Sequence, residues 1–418
     1  MFDYSTYFNE RLQQLHDSGS YRYFLEVNKS AQHFPKFYYQ QADGTQRSAV
    51  NWCSNDYLCM STQEEVIAKL GFVTHRSGTG SSGTRNISGT TIHHRELEEL
   101  LADWHQKEAA LLFNGAYQAN VTSLQTLGRL LPDLVFISDE RNHASLIEGM
   151  RAAGNTRHIF RHNDMLHLEE ILQQLPAGQP RIIVFESVYS ISGTIAPVHE
   201  LLALAKRYGA LTYVDEVHAV GLYGGQGAGI LEQEGLQQQI DLLNGTLSKA
   251  IGVFGGYITG SAVLIDLIRS YGSGFIFTTS LPPAICAAAA RSITLIRQHN
   301  EWRQQFHQNV ADLRNALRQA GIVFSDNPSH ITPIPVSGAV HCREVARRLL
   351  QEQGIYAQPI NYPTVPKGEE CLRIIITTRH LPKHIQYLAH SLNKILYGKD
   401  PSDRTQLSAV VAAAGAGA

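Results

Sequence analysis

A chain of 418 residues, 43% of them apolar and 17% charged, is too long for one small core and has ample material for two or three globular domains. Its formal net charge of −2 excludes the basic footprint of a nucleic-acid or polyanion binder. Five cysteines (Cys53, Cys59, Cys286, Cys342 and Cys371) are scattered with no CxxC or zinc spacing, so reduced thiols in the cytoplasm are expected, and no metal site.

The N-terminal stretch MFDYSTYFNERLQQL mixes apolar, polar and acidic residues and reads as neither a secretory signal nor a transit peptide. Residues 1–50 form an entry segment with a short helix in NERLQQLHDSG, ended by Gly19. Over 51–290, short β-branched or aromatic runs (ALLFNGAY, LVFISD, RIIVFESV, ALTYVDEV, LLNGTL, GGYITG) alternate with amphipathic stretches such as HHRELEELLADWH and VHELLALAKRYG. That alternation predicts an α/β domain with a mostly parallel sheet flanked by helices. Over 291–398 the pattern changes to a long helix, ITLIRQHNEWRQQFHQNVADLRNALRQAG, then short strands and further helices, which predicts a smaller α+β C-terminal domain. Residues 399–418 are a small-residue, low-complexity tail. No uncharged apolar run approaches the ~18 residues of a membrane span, since AICAAAARSITLI is interrupted by Arg291.

GTGSSG at Gly78–Gly83 matches the letters of a dinucleotide fingerprint, but VIAKLGFVTHRS before it is not a clear strand. A mobile, glycine-hinged loop that lets a ligand approach its backbone is the better expectation. ALTYVDEVHAVGLYG delivers Asp215 and His218 at the end of an apolar strand, where parallel sheets bind ligands. Lys249 follows 34 residues after Asp215, in NGTLSKAIGVFGGYITG, where it is the one charge among small and apolar neighbours. A lysine there either snorkels to water or is used chemically. Paired with a strand-end carboxylate it suits pyridoxal 5′-phosphate (PLP), with Lys249 as the amine and Asp215 as the partner of the ring nitrogen. His143, before a helix in NHASLIEG, serves either as part of a solvated capping loop or as an imidazole stacked on the cofactor ring. FNGAYQAN opens a helix at a natural phosphate cradle.

These motifs, with SYRYF (20–24), NWCSNDYL (51–58), SGTRNISGTT (82–91), GFIFTTSLPP (274–283) and PINYPTVPKGEECLR (359–373), resemble the α-oxoamine synthase family of fold-type-I PLP enzymes over roughly residues 1–395. TRNISGTT and PINYPTVP are similar to its aminolevulinate-forming branch. The resemblance implies condensation of glycine with succinyl-CoA to 5-aminolevulinate, CoA and CO2, for tetrapyrrole supply or a secondary-metabolite pathway. It implies Lys249 as the amine bonded to the cofactor aldehyde, Asp215 on the pyridine nitrogen, His218 on the ring hydroxyl and His143 stacked on the ring. Ser190 would line the same pocket, and Thr246 would reach the phosphate with the backbone of Ala116 and Tyr117. Thr278 and Thr279 would approach the phosphate from a neighbouring subunit, so a homodimer with shared sites is implied. Asn55 and Arg373 match the positions that hold the glycine carboxylate. Arg22, Thr84, Asn86 and Thr364 match those around the succinyl group, and Ser138 and Arg157 those for CoA.

Three departures from the family pattern lie outside the cofactor set. Cys59 replaces a usual glycine, Ser192 replaces an acidic residue, and LRIIITTRH lacks the usual Pro-Ser-Pro. They bear on acyl or product choice, and leave a sibling acyltransferase with another acyl-CoA or amino acid, or a PLP lyase or aminotransferase on the same fold, as alternatives.

Overall fold

Seven short runs become the strands of one sheet: β1 (Ala109–Phe113), β2 (Val135–Asp139), β3 (Thr156–Phe160), β4 (Arg181–Glu186), β5 (Leu211–Asp215), β6 (Leu242–Thr246) and β7 (Gly256–Gly260). This is a computed structural model, and it describes residues 1–41 and 43–398; the low-complexity tail lies outside the described residues. The strand order is β1-β7-β6-β5-β4-β2-β3. β2 to β6 are mutually parallel, and β7 alone runs antiparallel, between β6 and β1. Every residue of β2, β4, β6 and β7 is buried, which is why these strands read as continuous rather than alternating runs. β3, at the edge, keeps an exposed residue at each of Thr156 and Ile159. Leu111, Leu124, Phe136, Leu146, Val184 and Ile258 belong to the core packed on this sheet. The mostly parallel α/β sheet expected of fold type I is present.

The described chain divides into two compact units, Asn55–Phe306, which holds this sheet, and Met1–Ser54 together with residues 307–398. The second unit contains a four-stranded sheet (Asn28–Lys29, Lys36–Gln40, Gln46–Asn51, Ile355–Tyr356) and a three-stranded one (Thr332–Pro335, Cys371–Ile374, Gln358–Ile360). Its first helix spans Tyr4–Asp17 rather than starting near residue 9, because Asp3 caps it by accepting from the N–H groups of Ser5 and Thr6 at 3.1 Å.

The single long helix expected over 293–321 is two helices, Pro283–Gln298 and Asn300–Gln319. They part at His299, whose backbone (φ −114°, ψ 71°) is non-helical and whose ring stacks on Trp302 at 4.3 Å. GTGSSG follows the helix Glu64–Ser77, not a strand, so the dinucleotide reading has no structural basis. Among the described residues no helix is long and apolar enough to cross a membrane.

Candidate active site

The parallel strands end at one edge of the sheet, and their loops carry the predicted residues. Asp215 closes β5, pairs in register with Asn244 of β6 and Glu186 of β4, and is 4% exposed. A buried carboxylate needs donors. Its Oδ2 accepts from the Asn120 amide at 2.7 Å and the Asn244 amide at 3.2 Å, and its Oδ1 from the Val217 N–H at 2.9 Å. Asn120 is itself oriented by the Tyr213 hydroxyl, which donates to its amide oxygen at 2.8 Å. Asn120 and Asn244 were present in the quoted motifs without a role. Their signal is position: Asn244 is in register with Asp215, and Asn120 lies one helical turn after Ala116.

Lys249 follows β6, and its Nζ lies 2.7 Å from His218 Nε2. The other ring nitrogen, Nδ1, is 2.8 Å from the Tyr57 hydroxyl, which in turn reaches Asn55 Oδ1 at 3.3 Å. With the lysine donating, one consistent direction runs through the set: Nζ–H to Nε2, Nδ1–H to the phenol oxygen, phenol O–H to the amide oxygen. Tyr57 is fully buried, and it fixes His218 from 161 residues away in sequence. Sequence reasoning assigned it no role.

His143 precedes the helix Ala144–Ala153 and caps it, accepting at Nδ1 from the Ser145 N–H at 3.3 Å and lying 2.8 Å from the Ser145 hydroxyl. Crowding by neighbouring atoms pushes the imidazole pKa down; Asp215 opposes this and Lys249 reinforces it. Its ring meets Tyr117 edge-on, centroids 6.4 Å apart. Glu186, 2% exposed, is pushed well above the ordinary carboxyl range by burial and then by Asp215, with Lys249 pulling the other way. Its Oε1 has no hydrogen-bond partner among the described residues. Ser190 lies four residues past Glu186, half-buried in the loop after β4.

The helix Ala116–Leu130 begins at this same edge, and no side chain caps it. The first N–H groups of a helix have no intrahelical acceptor, so Ala116 and Tyr117 present an anion cradle. Gly256 keeps that cradle tight, since a Cβ there would fall 2.2 Å from the Ala116 nitrogen. Thr246 ends β6, with its hydroxyl 2.8 Å from the Ser248 hydroxyl and 3.2 Å from the Gly255 carbonyl oxygen. Thr278 accepts from the Gln118 amide at 2.9 Å, while the exposed Thr279 offers its carbonyl to Asn114 at 2.9 Å.

The remaining predicted residues divide between the units. Thr84 and the exposed Asn86 are joined by a 2.7 Å hydrogen bond on a turn that Arg85 anchors through two bonds to Glu98, at 2.8 and 2.9 Å. Ser138 is 2% exposed and accepts from the Asn142 amide at 2.9 Å, and Arg157 is half-buried on the edge strand β3. In the other unit, Arg373 is buried on Cys371–Ile374, and Arg22 reaches the Thr364 hydroxyl at 3.5 Å.

The donor set of the sheet-edge site fits PLP. An uncapped helix N-terminus suits a phosphate. Three N–H donors reach Asp215, short of the roughly four lone-pair sites of a carboxylate, so a ring N–H can be accepted as well. Lys249 supplies the amine, with an imidazole beside it. The family model described as Aminotransferase class I and II matches residues 47–392. A serine palmitoyltransferase variant from S. paucimobilis, solved with a bound PLP–myriocin aldimine, is similar at a TM-score of 0.85 and 29% identity, over 94% of this chain and 98% of that one. Fold and site together define a PLP-dependent enzyme of the aminotransferase class I and II type.

A 5-aminolevulinate synthase of Paracoccus denitrificans is 46% identical over 395 residues, 94% of this chain and 97% of the relative. Another, from Rhodobacter capsulatus, is 45% identical over 411 residues, 97% of this chain and all of the relative. The chain belongs to the 5-aminolevulinate synthase family.

Proposed function

We propose that the protein condenses glycine with succinyl-CoA, releasing CoA and CO2 and forming 5-aminolevulinate. The observation that carries this is the Lys249 amine 2.7 Å from His218, at the same sheet edge as the Asp215 carboxylate, in a chain of this family. Lys249, Asp215, His143, His218, Ser190, Thr246 and the backbone of Ala116 and Tyr117 would hold PLP. When bound, the cofactor supplies an electron sink for the charge left when glycine loses its α-proton.

The chain's own residues do the rest. Lys249, as the neutral amine, takes the α-proton, and His218 orients Nζ while its own far nitrogen is pinned by Tyr57. Asp215, its charge supported by Asn120 and Asn244, keeps a ring N–H in place. His143, with its pKa lowered, stays a neutral flat surface. Arg373, a buried cation in its own unit, is assigned by resemblance to the glycine carboxylate. Arg22 and Thr364, already in contact within their own unit, are assigned by resemblance to the distal succinyl carboxylate. Ser138 and Arg157 are assigned to CoA by resemblance; burial of the Ser138 hydroxyl favours a supporting role through Asn142 over direct contact.

The active unit in this reading is a homodimer in the cytoplasm, in which Thr278 and Thr279 of one copy serve the phosphate of the other. Large apolar side chains left exposed in the unit that holds the sheet, among them Phe72, Ile87, Phe254, Tyr271 and Phe277, are compatible with burial against a second copy.

The test is CoA release, read with a thiol reagent, for purified PLP-loaded protein given glycine and a panel of acyl-CoAs. Succinyl-CoA is expected to dominate, with 5-aminolevulinate as product, and Lys249→Ala to abolish turnover. Preference for an uncharged acyl-CoA would assign the chain to a sibling acyltransferase, and turnover by Lys249→Ala at the wild-type rate would overturn the site.

A further inference from the structure

Ser190 sits at the tip of a tight hairpin after β4. Tyr189 and Thr194 close it, with the Tyr189 N–H donating to the Thr194 carbonyl at 3.0 Å and the Gly193 N–H to the Tyr189 carbonyl at 3.0 Å. The returning limb is held by groups that no step above uses. Asp139, at the end of β2 and 2% exposed, accepts from the N–H of Arg141 at 2.8 Å and of Asn163 at 3.0 Å. It also lies 2.9 Å from His162 Nδ1. His162 Nε2 is 2.7 Å from the Thr194 hydroxyl, which is 2.8 Å from the Ser192 hydroxyl.

A carboxylate is acceptor-only, so His162 Nδ1–H must donate to Asp139; in the neutral ring Nε2 then accepts from Thr194, and Thr194 from Ser192. The Asn163 amide adds a second tie to the same limb, donating to the Ile195 carbonyl at 3.1 Å.

We propose that the relay Asp139–His162–Thr194–Ser192 positions Ser190 in the cofactor pocket, with His162 as the positioning residue. The inference rests on the reading of Ser190 as a pocket residue. It gives a role to Ser192, one of the three departures from the family pattern. The relay ties the exits of β2, β3 and β4 together, and the β2 exit is also the loop that leads to His143.

The amide of a glutamine at 162 reaches the Nε2 position and can accept from Thr194, whereas that of an asparagine reaches only the Nδ1 position and serves Asp139 alone. Both substitutions remove the ring that packs edge-on against Tyr189, 4.4 Å between centroids. A pure packing role predicts that Thr194→Val, which keeps the shape of the side chain and loses only the hydroxyl hydrogen bonds, is nearly silent.

The experiment compares PLP-loaded His162→Gln, His162→Asn, Thr194→Val, Thr194→Ser and Ser190→Ala for kcat and for the visible absorption band of the bound cofactor. His162→Asn and Thr194→Val are expected to lower kcat about 3- to 10-fold, the scale of one hydrogen bond, and to alter the band as Ser190→Ala does. His162→Gln and Thr194→Ser should recover most of that loss. Adding Thr194→Val to Ser190→Ala should produce no further change, because the relay acts through Ser190. Equal losses in the Gln and Asn variants, or full additivity in the double variant, would overturn the relay. So would a normal band and rate in Thr194→Val beside an altered Ser190→Ala. A silent Ser190→Ala would instead overturn the pocket assignment of Ser190, and the relay's purpose with it. Should His162→Asn fail to fold, the Thr194 pair carries the same comparison.

Discussion

Replacing Asp215 by alanine tests the centre of the site. The carboxylate is 4% exposed and holds three N–H donors at 2.7, 2.9 and 3.2 Å. Two consequences follow and can be measured apart. Stability falls, because Asn120, Asn244 and the Val217 N–H lose their acceptor, and each buried donor left unpaired costs about 1–3 kcal/mol, less where a water enters. Activity of the folded fraction falls separately, because a buried charge pair broken from one side costs about 3–5 kcal/mol. If that whole cost appears in the barrier, turnover drops roughly 150- to 5,000-fold. The assay is kcat for CoA release at saturating glycine and succinyl-CoA, normalised to PLP-bound protein, with thermal unfolding run in parallel. A loss below about threefold in well-folded protein would show that another group holds the ring nitrogen.

Arg22→Leu should lower kcat/KM for succinyl-CoA by roughly 30-fold or more while leaving butyryl-CoA little changed, as loss of a charge partner predicts; an unchanged succinyl-to-butyryl ratio would refute it. Acid stability is set partly by His94, His105 and His380, which burial pushes down to about 4, 3 and 3. Unfolded, they bind protons below about pH 6.5, so their contribution is full above that pH and is lost as pH falls, down to about 4 for His94 and about 3 for His105 and His380, at up to about 1.4 kcal/mol per pH unit each. Glu216, pushed up to about 8 by burial, acts in the opposite sense: its contribution is full below about pH 4.5 and is lost as pH rises to 8. A thermal midpoint independent of pH between 6.5 and 4.5 would refute the histidine term. Cys59 is buried with φ +59°, so Cys59→Gly should be more stable than Cys59→Ala by about 0.5–1 kcal/mol in denaturant melts, and the reverse order would refute backbone strain there.

The sheet was legible because β2 and β4 are covered on both faces, so Val135–Ile137 and Ile182–Phe185 carry the signal as uninterrupted apolar runs. Asp215 and Lys249 were legible for a related reason: a charge ending such a run has to sit at the sheet's edge. The break at His299 was not, since QHNE keeps the helical polarity pattern and only a local backbone turn, with His299 stacked on Trp302, divides it. Arg22 carried no periodic signal, and its 3.5 Å contact with Thr364 spans 342 residues, so only the family resemblance pointed to the pair.

What stayed hidden is the set of polar groups that hold the visible ones. Tyr57 behind His218, Asn120 and Asn244 behind Asp215, and His162 behind the Ser190 hairpin are ordinary residues in their own segments. Each acquires its role from a partner on another element, and burial makes that partnership obligatory, because a desolvated polar group without one is costly. The cysteine at 59 shows the same logic on the backbone. In sequence it is only a substitution for a usual glycine; in the fold it occupies a left-handed position with no side-chain exposure, which is where a glycine has least to lose. The candidate site therefore sits at strand ends that one dimension reveals, and the groups that hold its side chains in place come together only after the chain has folded.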